Sequence, residues 1–354
     1  MCYTSDLFKE VERKNQVDSV YVDFSKAFDV VPHDYTVAKL NYMGFPDNTT
    51  RWLHSYLIER KAFVRVNYAN SNEFRITSGV PQGSVLGPLI FVLFINDVCC
   101  RLSSSKQLFA DDLKFYRVIH SVLDCLLLQA DIDALLLWCN ENGMAINSKK
   151  CKTITFTRRH SRIEHGYSIG TTSLERVTSI RDLGVTIDSK LRFHEHISIV
   201  TAKALSVLGF IRRHTTNFTN VYTLKALYCS LVRSILEYAA QVWAPYNATH
   251  IIRVEQVQRK FIRYALRLLP WNDPNNLPDY SARCMLIHLD TLSKRRVFLQ
   301  RVFIFDLLEN NINCPELLEK IQLSVPQRSL SNLPGISIPA HRTSYGHNNP
   351  LTAC

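Results

Sequence analysis

Short apolar runs bounded by polar or turn residues alternate with longer helical periods over the first half of the chain. The run VDSVYVDF (17–24) is rich in Val and Tyr and ends at Asp23, the pattern of a buried strand. SKAFDVVPHDYTVAKLNYMGF then predicts a short helix punctuated by Pro32 and Gly44-Phe45-Pro46, and TTRWLHSYLIERK (49–61) predicts another. AFVRVNYANSNEFRITSG (62–79) alternates on both sides of NYANSN and predicts a hairpin. PQGSVLGPLIFVLFINDVC starts as a Gly/Pro loop and runs into a buried helix, and QLFADDLKFYRV (107–118) predicts strand–turn–strand. VLDCLLLQADIDALLLWCNENG (122–143) is helical up to Asn142-Gly143, KTITFTR (152–158) is a strand, and RVTSIRDLGVTID (176–188) a strand pair. From about residue 194 the period is helical. HISIVTAKALSVLGFIRR, VYTLKALYCSLVRSILEYAAQVW and IIRVEQVQRKFIRYALRLL each predict one helix, followed by helices at 281–290 and 293–309. From Val325 a Pro-, Ser- and Asn-rich tail is expected to be weakly ordered. The pattern predicts an α+β region to about residue 190, then an all-α region to about 310.

Charge sharpens this division. Residues 1–150 carry 16 Lys and Arg against 17 Asp and Glu, whereas residues 151–354 carry 26 against 14. A chemistry module followed by a polyanion-holding module has this distribution, and so does a solvated basic surface. The ten cysteines form no C-x-x-C pair and no Cys/His zinc spacing. They read as reduced, packed thiols of an intracellular protein, nuclear or cytoplasmic. The charged start MCYTSDLFKEVERKN argues against a secretory signal, and PLIFVLFIN is far shorter than the ~20 residues of a membrane span.

The candidate chemistry lies in three places. Asp111 and Asp112 are adjacent at the predicted hairpin turn, and Asp23 ends an apolar strand. Carboxylates brought together at strand ends suit a pair of divalent ions that clamp attacking and leaving oxygens. Alone, ADD also fits an ordinary turn, and Asp23 also fits a cap for a helix starting at Ser25-Lys26. SGVPQGSVLGPLIF (78–91) is a Gly/Pro turn opening a helix. It lacks the Gly-Lys-Ser/Thr of a phosphate loop and any dinucleotide fingerprint.

YVDFSKAFDVVPHD, SGVPQGSVLGPLIF, FADDLK, NGMAINSKKCKTITF and RDLGVTID occur in this order and spacing. Together they resemble the palm motifs of reverse transcriptases from non-LTR retrotransposons, the jockey-like and related insect clades most of all. The helices after residue 194 resemble the region that follows the palm, so the resemblance covers about residues 15–310. It implies an α+β polymerase palm, an antiparallel sheet packed on helices, over residues 1–192. A helical thumb at 193–270, a C-terminal helical region at 271–324 and the tail at 325–354 would follow.

The resemblance implies RNA-directed DNA synthesis. Two Mg²⁺ ions (Mn²⁺ as a possible substitute) would be held by Asp23, Asp111, Asp112 and the Phe24 carbonyl. The partners would be an RNA template, a DNA primer and dNTPs, with no membrane; the oligomeric state is left open. Phe28 matches an aromatic gate against a 2′-OH, or is a core Phe. Gln82 and Gly83 would meet the nucleotide, and Pro81 the template and nascent pair. Lys150 is a candidate general acid, with Lys149 competing and a solvated lysine the alternative. Leu183 and Gly184 would form the primer grip. Arg259, Lys260 and Arg263 would contact phosphates. Two departures stand out: motif C begins with Phe109 where the family usually has Tyr, and the fingers that the resemblance implies upstream of residue 17 are expected to be absent from this chain. On this basis the chain is expected to be a truncated polymerase of weak activity; a remnant that only binds nucleic acid is the alternative.

Overall fold

A computed structural model describes residues 1–269, 278–321, 323–324, 335–336, 341 and 343–351. The chain opens on helix α1 (Cys2–Glu12) and divides into two compact units, Lys14–Thr178 and Met1–Arg13 with Ser179–Cys354.

In the unit Lys14–Thr178, strand β1 (Gln16–Val22) leads to α2 (His33–Tyr42) and α3 (Asp47–Leu57). Four two-residue strands follow: β2 (Lys61–Ala62), β3 (Arg65–Val66), β4 (Ala69–Asn70) and β5 (Phe74–Arg75). They pair β2 with β5 and β3 with β4, which makes the expected hairpin, and the chain reverses at Asn67 and Tyr68, both at positive φ. Next come α4 (Leu86–Ile95), α5 (Val98–Arg101), β6 (Ser105–Phe109), β7 (Asp112–Ile119), α6 (Val122–Glu141) and β8 (Lys152–Thr157). The short strands β9 (Ser168–Ile169), β10 (Thr172–Ser173) and β11 (Glu175–Val177) complete the unit. The main sheet has the order β11-β8-β1-β7-β6. It is antiparallel, as expected, except at its edge, where β11 joins β8 in parallel.

β1 is the middle strand, which is why its burial is nearly continuous and not alternating. Val20 pairs with Phe115 and Val22 with Leu113, and this face joins a core with Phe91, Phe94, Leu128, Leu135 and Trp138. Two polar clusters fix the layers. The buried Asp18 accepts hydrogen bonds from Thr155 Oγ1 (2.8 Å), Tyr167 Oη (2.8 Å) and Gln16 Nε2 (3.1 Å). Lys39 Nζ donates to Asp97 Oδ1 and to the Phe94 carbonyl, both at 2.8 Å, and lies 4.2 Å from the centre of the Phe94 ring. It thereby ties α2 to the end of α4. Removing one partner of the buried Asp18 costs about 1–3 kcal/mol.

In the other unit, β12 (Ser179–Asp182) and β13 (Val185–Asp188) form a hairpin that packs on α7 (His194–His214). The compact units part at Thr178/Ser179. The stretch 221–243, expected as one helix, is broken. It consists of α8 (Val221–Leu227), a π-helical turn (Tyr228–Arg233), α9 (Ser234–Glu237) and α10 (Ala240–Trp243). The break lies at Tyr238 (ψ 122°) and Ala239 (φ 51°), where the Trp243 indole donates to the Tyr238 carbonyl at 2.8 Å. α11 (Ala248–Ala265), α12 (Tyr280–Leu286), α13 (Leu292–Leu308) and α14 (Pro315–Leu318) follow. Gln258, fully buried on α11, bonds Tyr228 Oη (2.9 Å), Tyr280 Oη (3.1 Å) and the Asp290 carbonyl (2.8 Å).

Helix α1 was not expected. Its apolar residues Tyr3, Leu7, Phe8 and Val11 recur at helical spacing and are buried. Asp6 pairs with Lys320 at 2.7 Å, and Ser5 Oγ donates to Asn349 Oδ1 at 3.1 Å. Most of the segment expected to be weakly ordered from Val325 lies outside the described residues, as do residues 271–277 and 322 of the region expected at 271–324. Of the described residues in that tail, Ser344–His347 form a helical turn and Asn349 is buried.

Candidate active site

β1 and β7 are antiparallel neighbours, paired Val22↔Leu113 at their last rung. One step further along that register, Asp23 is level with Asp112. β6 and β7 pair Phe109↔Asp112, so Ala110 and Asp111 form the turn between them. Ala110 takes a left-handed conformation (φ 52°), and the Asp111 carbonyl accepts from the Leu113 amide at 3.1 Å. Asp111 is half-buried and Asp112 exposed. Carboxylates facing each other on adjacent strands are unfavourable unless a cation lies between them.

The turn Asn147–Cys151 holds Asp23 at three atoms. The Asp23 amide donates to Cys151 Sγ (3.3 Å), its carbonyl accepts from the Asn147 amide (2.8 Å), and its carboxylate lies 3.6 Å from Lys150 Nζ. Both ends of that ion pair are well exposed, so it contributes at most about 1 kcal/mol. Phe24 bridges Ile146, and the flanking bonds are made by the Asp23 carbonyl and the Ser25 amide. This bridge leaves the Phe24 carbonyl out of the ladder. The donors at hand are thus all oxygens, the set that suits Mg²⁺. Among the described residues, no three His, Cys, Asp or Glu side chains are already gathered closely enough to hold an ion. Asp23 and the Asp111–Asp112 pair share one end of two strands without forming a closed cage.

Phe28 stacks on Phe91 of α4, ring centres 4.2 Å apart, and its carbonyl accepts from the Val80 amide at 2.8 Å. The chain after β1 is thereby fastened to the loop 78–87. Gly79, at φ +84°, lies so close to Asp29 that a Cβ would stand 2.6 Å from the Asp29 carbonyl oxygen. Its own carbonyl meets His33 Nε2 at 2.8 Å. Gln82 Nε2 donates to Asp29 Oδ1 at 2.8 Å, so Gln82 is held by a carboxylate that the sequence did not single out. Gly83 is also left-handed (φ +79°), yet a Cβ there would meet open space. The Pro81 carbonyl accepts from Ser84 Oγ at 2.7 Å.

In the other unit, Leu183 (φ 44°) and Gly184 (φ 85°) form the two-residue turn of the β12–β13 hairpin. This turn borders a cavity of about 550 Å³ lined by Arg181, His196, Lys203 and Tyr238. His196 is buried, and its Nδ1 accepts from the Thr186 amide at 3.2 Å. Burial, with Arg181 nearby, pushes its pKa down to about 4. A larger groove of about 800 Å³ runs between α7 and α11 and is lined by Arg212, Arg213, Lys260, Arg263, Tyr264 and Arg267. Of the three expected cations, Lys260 and Arg263 line it. Arg259 does not; its guanidinium lies 4.6 Å from the centre of the Tyr280 ring. Arg212, Arg213 and Arg267, also basic residues of the helices expected to meet phosphates, complete the lining. Arg259 and Arg263 are four residues apart on α11, so the sequence places them on neighbouring positions of one face, and only the stacking of Arg259 on Tyr280 takes it out of the groove.

A family model described as "Reverse transcriptase (RNA-dependent DNA polymerase)" matches residues 4–210, more than half of the chain. The chain belongs to the reverse transcriptase family. The resemblance drawn from the five ordered motifs thus holds, and the chain's relatives include the jockey element it pointed to. The probable RNA-directed DNA polymerase from transposon BS of Drosophila melanogaster is 27% identical over 273 residues, covering 73% of this chain and 30% of that protein. The RNA-directed DNA polymerase from mobile element jockey of the same species is 27% identical over 274 residues, covering 74% and 29%. The chain therefore spans about 30% of the length of these relatives. Similar solved structures include a telomerase from Candida albicans with a TWJ fragment of telomeric RNA (TM-score 0.41, 11% identity, 81% of this chain and 52% of that one). Apo telomerase from Candida tropicalis is another (TM-score 0.42, 12% identity, 75% and 44%).

Proposed function

We propose that this chain carries the palm and thumb of an RNA-directed DNA polymerase of a non-LTR retrotransposon, adding dNTPs to a primer 3′-OH on an RNA template. The observation that carries the reading is the meeting of Asp23 with Asp111 and Asp112 at the same end of adjacent strands. Asp23, Asp111, Asp112 and the Phe24 carbonyl would hold two Mg²⁺, with Mn²⁺ as a substitute. When bound, the ions would stabilise charge on the attacking and leaving oxygens.

The remaining roles belong to the chain's own groups. Phe28, seated on Phe91, presents a rigid ring beneath the incoming sugar, where a 2′-OH would collide. Gln82, braced by Asp29, and Gly83 face the nucleotide, and Pro81 the template. Lys150 donates a proton to the leaving pyrophosphate, a role for which its place beside Asp23 recommends it over Lys149. Leu183 and Gly184 position the primer end. The groove cations Lys260 and Arg263, with Arg212, Arg213 and Arg267, hold the phosphates of the hybrid. The protein would act inside the cell, in the nucleus or cytoplasm. No helix among the described residues is long and apolar enough to cross a membrane.

The basic groove also favours a second reading, a chain that binds nucleic acid without extending it. Primer extension on poly(rA)/oligo(dT) with Mg²⁺, against Asp111→Ala/Asp112→Ala, separates the two. Incorporation above the double variant supports the polymerase. Hybrid binding with incorporation no greater than that of the variant supports the binding protein.

A further inference from the structure

We propose that Cys151 is a positioning residue for Asp23, acting through the backbone and not through the carboxylate. The inference rests on the polymerase reading above. The β1–β8 ladder runs from Gln16↔Thr157 to Tyr21↔Lys152 and stops there. One more pair would set Cys151 opposite Val22, and the next would set Lys150 opposite Asp23. The chain instead turns away, with the Lys150 and Cys151 amides both bonded to the Asn147 carbonyl (2.9 and 3.1 Å). The strand that should have paired with Asp23 is therefore missing where the metal-binding residue begins.

The thiol fills that place. Cys151 Sγ accepts from the Asp23 amide at 3.3 Å and lies 3.9 Å from the Asp23 carbonyl as a donor. It is 1% exposed, so no water substitutes for it. The Asn147 amide takes the same carbonyl at 2.8 Å. With both backbone groups of Asp23 occupied on this side, the Phe24 carbonyl is the next one free of the ladder. Cys151 thus sets where the carboxylate leaves the strand and which carbonyl stands beside it. Partners that orient a ligand in this way typically govern metal affinity by about tenfold to hundredfold when removed.

The test uses the 354-residue chain with Cys151→Ala, which removes the acceptor, and Cys151→Ser, which keeps one. Hydrogen exchange at the Asp23 amide and Mn²⁺ affinity by electron paramagnetic resonance are measured, with thermal midpoints alongside. Cys151→Ala is expected to speed exchange at Asp23 and weaken Mn²⁺ binding by about tenfold or more, and Cys151→Ser to stay within about threefold of wild type. Unchanged exchange and affinity in Cys151→Ala would overturn the proposal. So would a loss in Cys151→Ser as large as in Cys151→Ala, which would mean that packing alone matters. Wild-type Mn²⁺ binding insensitive to Asp23→Asn would count against the polymerase reading instead, and the exchange rates would then decide the anchoring by themselves.

Discussion

The Tyr238 hydroxyl donates a hydrogen bond to the Leu183 carbonyl at 2.9 Å, and its ring closes over the next residue. A Cβ on Gly184 would lie 3.1 Å from Tyr238 Cε1, at a φ of +85°. Gly184→Ala is therefore expected to lower stability by about 1–3 kcal/mol, from backbone strain and crowding together. Tyr238→Phe, which loses only the hydroxyl, should lower it by about 1 kcal/mol. Urea midpoints of the two variants check the ranking, which fails if Tyr238→Phe proves the worse.

Gly79 and Gly83 share a left-handed backbone but not their surroundings. Alanine at 79 must displace the Asp29 backbone, whereas alanine at 83 enters open space. Gly79→Ala should be destabilised by roughly 3 kcal/mol or more, and Gly83→Ala by about 1 kcal/mol. Any loss of primer extension in Gly83→Ala then belongs to the ligand side of the loop and not to folding. Thermal denaturation of both variants, measured with the extension assay, tests this pair.

His196 makes stability depend on pH with a definite sign. Its pKa falls from 6.5 in the unfolded chain to about 4 in the folded one, chiefly through burial. Between those values the unfolded chain binds the proton more readily. Stability is thus fully kept above pH 6.5 and falls as the pH drops towards 4, by up to roughly 3 kcal/mol from this group. His196→Gln should be less stable at neutral pH and show a shallower decline on acidification. An unaltered slope in the variant would remove His196 as the cause.

The groove predicts a division among basic residues on the same helix. Lys260→Gln and Arg263→Gln should each make the slope of log K against log salt for a nucleic-acid hybrid shallower by about 0.7–0.9. Arg259→Gln should leave the slope unchanged, because Arg259 lies over Tyr280 outside the groove. Fluorescence anisotropy titrations across a salt series measure the slopes, and an effect of Arg259 equal to that of Lys260 would contradict the division.

Much of the Lys14–Thr178 unit was legible from local signals. The buried run before Asp23, the turn at Ala110-Asp111 and the long helix ending at Asn142 each carry their own period and punctuation. α1 was legible too, through Tyr3, Leu7, Phe8 and Val11, but its charged residues masked the apolar stripe. The break at Tyr238-Ala239 was not legible. Residues 221–243 keep a helical period throughout, and the interruption comes with bonds from Tyr238 to Leu183 and from Trp243 to Tyr238.

The sequence by itself determined the family and most of the element types, because motif order and hydrophobic period are local properties of the chain, and it singled out Asp23, Asp111 and Asp112 as the candidate carboxylates. Tertiary structure alone decided what each group faces. Asp23 lies 128 residues from Cys151, yet the thiol holds its amide, since the β1–β8 pairing ends where the chain turns at Asn147. Arg259 and Lys260 are adjacent, yet one stacks on a ring and the other lines the groove, because neighbouring residues on a helix point about 100° apart. Asp18 and Asp23 lie on one strand, yet the first is buried among three donors while the second stands at the strand's open end. Which of two aspartates is structural and which is available for chemistry depends on what the fold brings beside it, and that is not written in the residue type.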